Sequence, residues 1–362
     1  MLTLAIALFG PLIALLGVLL AWSWPGRPKP FRGPDGRPVP GSISEKIRVE
    51  VNGVSQGMFI KARNAHKPVL LYLHGGMPDY FLTQKYPTGL DDEFVVCWWE
   101  QRGSGLSYDA LTSGQAITAA QLIADTIEVT NYLRRRFGQE RIFLMGHSGG
   151  SFIGIQAAAR APELYRAYVG VAQVSSQLHS ECRAYEHMLK QYRRQGDARM
   201  ARRLEAAPVS VTSGVPARYL TVRDQAMHRL GVGTMRHMRS VVTGIFIASL
   251  QNRDYTLREK IGLWRGKASA GVSTVWSEML ASDLSEQVPR LDVPVYLLHG
   301  RHDYTCSFDE ALAYFDRLQA PLKGFYAFEA SAHSPIFEEP GRVCEILRAD
   351  VLAGTNGLAD LR

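Results

Sequence analysis

The sequence predicts an α/β fold: a mostly parallel central sheet flanked by helices, an inserted helical cap, and an apolar helix at the amino terminus. Three observations carry that expectation. Short, nearly continuous apolar runs alternate with helix-periodic segments, whereas the stretch 176–290 contains no such run and is dominated by helix formers. The apolar run 142–145 leads into Gly146-His147-Ser148-Gly149-Gly150, and the small-residue, helix-compatible stretch 152–160 follows.

Residues 2–24 carry no charge and are rich in Leu, Ala and Ile, a length that suits a helix crossing the hydrocarbon core. Trp22 and Trp24 stand where an interfacial belt would lie, and Arg27, Lys29, Arg32 and Arg37 follow on one side only. By the positive-inside rule this predicts a single-pass transmembrane anchor over 1–24, with the membrane as a partner and the catalytic domain on the cytoplasmic face. A cleaved signal peptide is the rival, but no cation precedes the apolar run. Residues 25–44 are rich in Pro and Gly and read as a linker. The folded α/β body is expected over 45–175 and 291–362, with the cap over 176–290 between its two parts.

Within the body, 46–51 and 58–62 alternate as strands around Asn52-Gly53, a hairpin signal. The runs 68–73, 94–99, 142–145, 167–171, 294–298 and 325–328 are apolar enough for strands buried on both faces. Ala119, Leu122, Ile123, Ile127 and Leu133 recur at helical spacing over 118–137, with Gly138 as a stop. Further helices are expected at 308–318 and 343–352, and in the cap at 184–194 and 198–206. Alternation of this kind gives right-handed crossovers, with functional groups gathered at the carboxyl ends of the strands.

The chain of 362 residues is 21% charged with a net charge of +7, which excludes wholesale disorder. No zinc-finger, helix-turn-helix or RNA-binding signature accompanies the positive charge, so no nucleic-acid partner is expected. The basic cap residues Arg193, Arg194, Arg199, Arg202 and Arg203 read as a solvated face, with anionic headgroups as a rival contact. Cys97, Cys182, Cys306 and Cys344 are scattered, without metal-ligand spacing or a disulfide framework.

The chemistry concentrates at the glycine-flanked turn. Gly146 and Gly150 permit a tight strand-to-helix bend that leaves the Ser148 hydroxyl proud of the sheet, so Ser148 is the candidate nucleophile. A serine needs a base, and the base an orienting acid. Asp303 follows the run 294–298, and His333 follows 325–328, which puts both in strand-end loops. His147 and His302 are neighbouring histidines, and Asp309 or Glu329 are rival acids. The order Ser148, Asp303, His333 is that of α/β-hydrolases. An oxyanion needs donors. The Gly149 amide is one, and the turn His74-Gly75-Gly76-Met77-Pro78 supplies the other from Met77, with Gly76 as the alternate. No metal and no cofactor are called for.

Together, His74-Gly75-Gly76, then Glu100-Gln101-Arg102-Gly103-Ser104-Gly105-Leu106-Ser107, then 146–151, 300–303 and 332–334 resemble the proline iminopeptidase branch of the α/β-hydrolase fold. The resemblance covers about 45–355. It implies that His74, Gly75, Glu100, Arg102, Gly146 and Gly150 support the site. The family pattern H-G-G-P-G is replaced here by a turn whose proline is shifted to Pro78, and D-Q-R-G by Glu100-Gln101-Arg102-Gly103. Glu100 and Arg102 are expected to form a hydrogen-bonded ion pair beneath the site. True iminopeptidases hold the substrate's free amino terminus with cap carboxylates, and Glu181, Glu186, Glu205, Glu259, Glu278 and Glu286 are available.

The first functional reading is therefore a serine hydrolase acting on a carboxylic ester or lactone through an acyl-enzyme. The second is a proline iminopeptidase-type aminopeptidase acting on short peptides, and a third is a catalytically silent, membrane-tethered binding protein. Epoxide and haloalkane hydrolysis would need a carboxylate where Ser148 stands.

Overall fold

The computed structural model describes residues 2–109, 116–270 and 274–362. Eight strands form one sheet in the order β1-β2-β4-β3-β5-β6-β7-β8. They are β1 (Ile43–Val51), β2 (Val54–Ala62), β3 (Val69–Leu73), β4 (Val95–Glu100), β5 (Ile142–His147), β6 (Tyr165–Val171), β7 (Val295–Gly300) and β8 (Lys323–Phe328). β1 and β2 make the antiparallel hairpin expected around Asn52-Gly53, and β2 also runs antiparallel to β4. All remaining pairs are parallel. The continuous apolar runs are these parallel strands: every residue of β3, β4, β5 and β7 is buried, as a sheet covered on both faces requires.

The principal helices of the body and the cap are α1 (Leu2–Trp22), α2 (Ala119–Phe137), α3 (Gly149–Arg160), α4 (Gln177–Arg194), α5 (Ala198–Glu205), α6 (Ala217–Leu230), α7 (Leu257–Ala270) and α8 (Phe308–Arg317). The Thr118 side chain accepts from the Gln121 amide to cap α2, and Gly138 ends it in the left-handed conformation with φ 63°. These are the start and stop that an N-cap threonine and a C-terminal glycine provide. Two apolar layers cover the sheet, one built on Leu71, Leu144 and Leu297, the other on Tyr72, Met145 and Leu298. Alternate residues of one strand thus serve opposite layers, as the pleat dictates. The cap has a smaller core of its own around Met188, Leu204, Tyr219 and Met227.

The transmembrane anchor does not hold. Among the described residues no helix is long and apolar enough to cross a membrane. α1 carries Pro11 in its interior, where a missing N–H and a ring clash interrupt the helical ladder. Its described side chains run from residue 10 to 22, a rise of about 20 Å against a hydrocarbon core of about 30 Å. Met1 and the side chains of residues 2–9, which the expectation also used, lie outside the described residues. The end of α1 is fastened to α7 of the inserted stretch: Lys260 Nζ donates to Trp22 O at 2.9 Å and to Ser23 Oγ at 3.1 Å. Membrane partnership, single-pass localisation and the cytoplasmic placement argued from the anchor are withdrawn with it.

Strand order locates the site. β3 lies between β4 and β5, so successive crossovers leave it in opposite directions, and ligands in open α/β sheets bind at such a point. Leu73, the last residue of β3, pairs with Gly146 of β5. The His74 turn and the Ser148 turn therefore leave the sheet side by side.

Candidate active site

Ser148 links β5 to α3 with φ 57° and ψ −126°, a region that costs a non-glycine residue backbone strain. The turn is held by its own backbone: Ser148 N donates to Val171 O at 3.0 Å, and Ser151 N to Ser148 O at 2.8 Å. Two glycines explain how closely it sits. A Cβ on Gly150 would lie 2.2 Å from Leu73 O, and one on Gly75 would lie 2.7 Å from Ser148 Cβ and 2.9 Å from its Oγ. The His74 turn thus passes directly beside the serine. The first amides of α3, beginning with Gly149 N, face the same space at the positive end of a helix.

Asp303 and His333 meet as the strand-end loops predict. His333 Nδ1 lies 2.8 Å from Asp303 Oδ2, and both residues are buried. Asp303 Oδ1 accepts from the amides of Thr305 at 2.8 Å and Cys306 at 3.0 Å. Burial favours the neutral acid, but His333 and His299 overcome it and hold the Asp303 carboxyl well below its usual range. Burial is also the main reason the His333 imidazole titrates below its ordinary value; Asp303 opposes that shift, and His147 and His299 add to it. Among the described residues no hydrogen bond joins His333 to Ser148 Oγ, which leaves His333 Nε2 unengaged by protein. The rival acids are elsewhere: Asp309 pairs with Arg183 at 3.4 Å and Glu329 with Arg301 at 2.8 Å.

The expected Glu100–Arg102 pair does not form. Arg102 instead grips the fully buried Asp125, with Nε and Nη2 at 2.8 and 2.9 Å, and Asp125 also accepts from Asn52 at 2.8 Å and Gln56 at 2.9 Å. Arg102 lies in the turn beyond β4, and Glu100, the last residue of the strand, turns toward Leu106 N at 2.5 Å and the Tyr255 hydroxyl. Burial pushes the Glu100 carboxyl up to about 8. His74 ties its turn to the end of β4: its Nε2 accepts from Gln101 N at 3.0 Å, while Gln101 Nε2 donates to His74 O at 2.7 Å. Burial drives the His74 imidazole down to about 4.

Three features lay beyond sequence reasoning. Asp79 accepts from the Tyr72 hydroxyl at 2.7 Å and lies 3.0 Å from His147 Nδ1. Glu338 Oε2 accepts from Ala332 N at 2.9 Å and Ser334 N at 3.4 Å, bracketing His333. Lys267 of α7 donates to Gly76 O at 3.3 Å. Lys267 is solvent-exposed, and desolvation by surrounding atoms lowers its ammonium pKa. Only Asp79 had a signal, its position next to the glycine turn. Among the cap carboxylates, Glu181 approaches the Asp303 loop: Gln177 Nε2 donates to Glu181 Oε1 at 3.0 Å and to Thr305 O at 2.9 Å. Arg223 binds both Glu181 oxygens at 2.7 and 2.6 Å. Glu205, Glu259 and Glu278 are engaged by Arg193, Lys46 and Ala119 N at 2.7 Å each.

Residues 68–340 match the family described as alpha/beta hydrolase fold, so the chain belongs to that family and is a hydrolase. Along its length it is similar to a probable aminopeptidase, YbaC of Bacillus subtilis (strain 168), with 29% identity over 303 residues, 83% of this chain and 93% of that protein. The fold is similar to that of proline iminopeptidase from Mycobacterium smegmatis, at TM-score 0.61 and 18% identity, covering 85% of this chain and 99% of the other. It is also similar to VinJ, at TM-score 0.60 and 19% identity, covering 85% and 98%.

Proposed function

We propose that the protein is a serine aminopeptidase of the proline iminopeptidase type, which releases the amino-terminal residue of short peptides. The observation that carries this reading is the similarity to a probable aminopeptidase across 93% of that protein's length, cap included. The ester and lactone reading draws on the same catalytic groups, and an esterase and a lactone-degrading enzyme that share the fold cover this chain as fully, but at 14% and 15% identity they speak for the fold alone. The steps of this reading follow from the same groups. Ser148 Oγ attacks the carbonyl carbon while His333 Nε2 takes its proton, with Asp303 fixing the Nδ1–H tautomer and steadying the imidazolium. The Gly149 amide and an amide of the 76–77 turn stabilise the oxyanion. His333 returns its proton to the departing amine, and water, activated by the same imidazole, releases the acyl group from Ser148.

A buried substrate ammonium needs a negative partner; Glu181 is not free to serve, because it is fully buried and Arg223 binds both of its oxygens, so the partner would have to come from another carboxylate. The test is hydrolysis of prolyl-p-nitroanilide, its N-acetyl derivative and a short-chain p-nitrophenyl ester by the parent protein and by Ser148→Ala. Cleavage of the free prolyl-arylamide, loss of that cleavage on N-acetylation, and loss of all turnover in the variant are expected. Fast ester turnover with no arylamide cleavage would overturn the aminopeptidase reading.

A further inference from the structure

We propose that His147 is held as an imidazolium by Asp79, and that this fixed cation keeps the neighbouring His333 imidazole neutral, so that it can accept the Ser148 proton under more acidic conditions than it otherwise could. The inference rests on the reading of Ser148 and His333 as nucleophile and base.

The argument starts from the partners of the two ring nitrogens. A neutral imidazole offers one N–H and one lone pair. His147 Nε2 lies 2.9 Å from the His333 carbonyl oxygen, which can only accept, so Nε2 carries a proton. His147 Nδ1 lies 3.0 Å from Asp79 Oδ2, where a lone pair would face a carboxylate oxygen. The Tyr72 hydroxyl is 3.2 Å from the same Nδ1 but 2.7 Å from Asp79 Oδ2, and its single hydrogen is committed to the shorter contact. Nδ1 therefore carries a proton too. Among the described residues Asp79 Oδ1 is buried without a hydrogen-bond partner, so a charge on Asp79 would be costly unless the His147 imidazolium faces it.

The surroundings agree. Asp79 and His74 face His147 from the turn after β3, Tyr72 from β3 itself, and His333 and Asp303 from the loops after β8 and β7. Burial opposes a charge on His147, but the Asp79 hydrogen bond and charge, the His333 carbonyl and Asp303 raise its pKa above the ordinary value. The His147 and His333 rings stand 5.2 Å apart, and a like charge at that range disfavours a second one. His147 is thus a positioning residue in two senses: it ties the backbone of His333 to the turn that carries Ser148, and it sets the charge beside the base.

The test is the rate at which a fluorophosphonate labels Ser148 in the full chain, measured as a function of pH. In His147→Gln the amide still donates to the His333 carbonyl but the charge is gone, and the acid limb moves up by about one pH unit while the plateau rate stays within about threefold. Asp79→Asn, which releases the imidazolium, moves the limb in the same direction. Tyr72→Phe, which leaves the ion pair in place, does not move it. A purely structural role would lower the plateau and leave the midpoint where it was, which overturns the inference. Nitrogen NMR of the parent protein near neutral pH gives an independent reading: both His147 nitrogens are expected to be protonated, and a neutral tautomer would overturn the proposal even if the variants misfold. Absence of labelling in the parent would bring down the nucleophile reading and this inference with it; labelling with an unmoved midpoint would bring down the inference alone.

Discussion

Two histidine–aspartate pairs stand side by side at the carboxyl edge of the sheet, and they are built from the same parts. His333 lies 2.8 Å from Asp303 and His147 lies 3.0 Å from Asp79, and all four residues are buried. The second ring nitrogen separates them. His147 Nε2 is tied to the His333 carbonyl at 2.9 Å, whereas among the described residues no protein group engages His333 Nε2. An imidazole with one free nitrogen can move a proton; one with both nitrogens bound to acceptors is a fixed charge. A histidine–carboxylate contact alone does not identify a catalytic base.

The largest expected effect tests that distinction. Asp303→Asn should reduce kcat on prolyl-arylamide by about 10³–10⁴-fold, because the amide presents the wrong hydrogen-bonding face to Nδ1 and His333 loses its productive tautomer. Asp79→Asn should cost only about 10-fold, since it acts on His333 at one remove. Equal losses would erase the distinction between the two pairs. Next in size is Gly75→Ala, whose Cβ would fall 2.7 Å from Ser148 Cβ. It should lower kcat about 100-fold, the scale expected when reacting groups shift by about 1 Å, with a melting temperature close to the parent's. Melting curves beside kinetics separate this from unfolding. Smaller again is Glu338→Gln, whose single carbonyl oxygen cannot serve both the Arg236 amide on Oε1 and the Ala332 and Ser334 amides on Oε2, and which should reduce kcat about 10-fold with KM little changed.

Much of this arrangement was legible in the chain. The parallel strands announce themselves because burial on both faces demands continuous apolar runs, and Ser148, Asp303 and His333 each follow such a run directly. What was not legible depends on pairings between distant segments. Arg102 could be seen to need a carboxylate, but Glu100 was the near one in sequence and Asp125 the near one in space, because Arg102 lies past the end of β4 in a turn that carries it to α2. Glu338 carries no local signal of its hold on the His333 loop. The amino-terminal segment misled for a related reason. Its composition suits a bilayer, but Pro11 in its interior and the Lys260 contacts at its end belong to the folded structure rather than to any count of apolar residues.

The smallest effect concerns the carboxylate that was misassigned. Glu100 and Asp125 are both buried, but Asp125 is neutralised by Arg102 while, among the described residues, the Glu100 carboxyl is met by the Tyr255 hydroxyl and the Leu106 amide. Burial raises the Glu100 carboxyl from 4.5 to about 8, so the folded protein binds a proton there that the unfolded chain releases. Its contribution to stability is fully present below about pH 4.5 and is lost as pH rises toward about 8, the direction proton linkage requires when the native state binds more protons. Glu100→Gln mimics the protonated acid: its carbonyl can accept from Leu106 N and its amide can donate to the Tyr255 oxygen. The variant should match the parent near the acid end of that window and exceed it at the alkaline end, by a few kcal/mol at most. Melting temperatures of both proteins across the window check it. Parallel curves would mean that Glu100 is ionised in the folded state and that its two hydrogen bonds outweigh its burial.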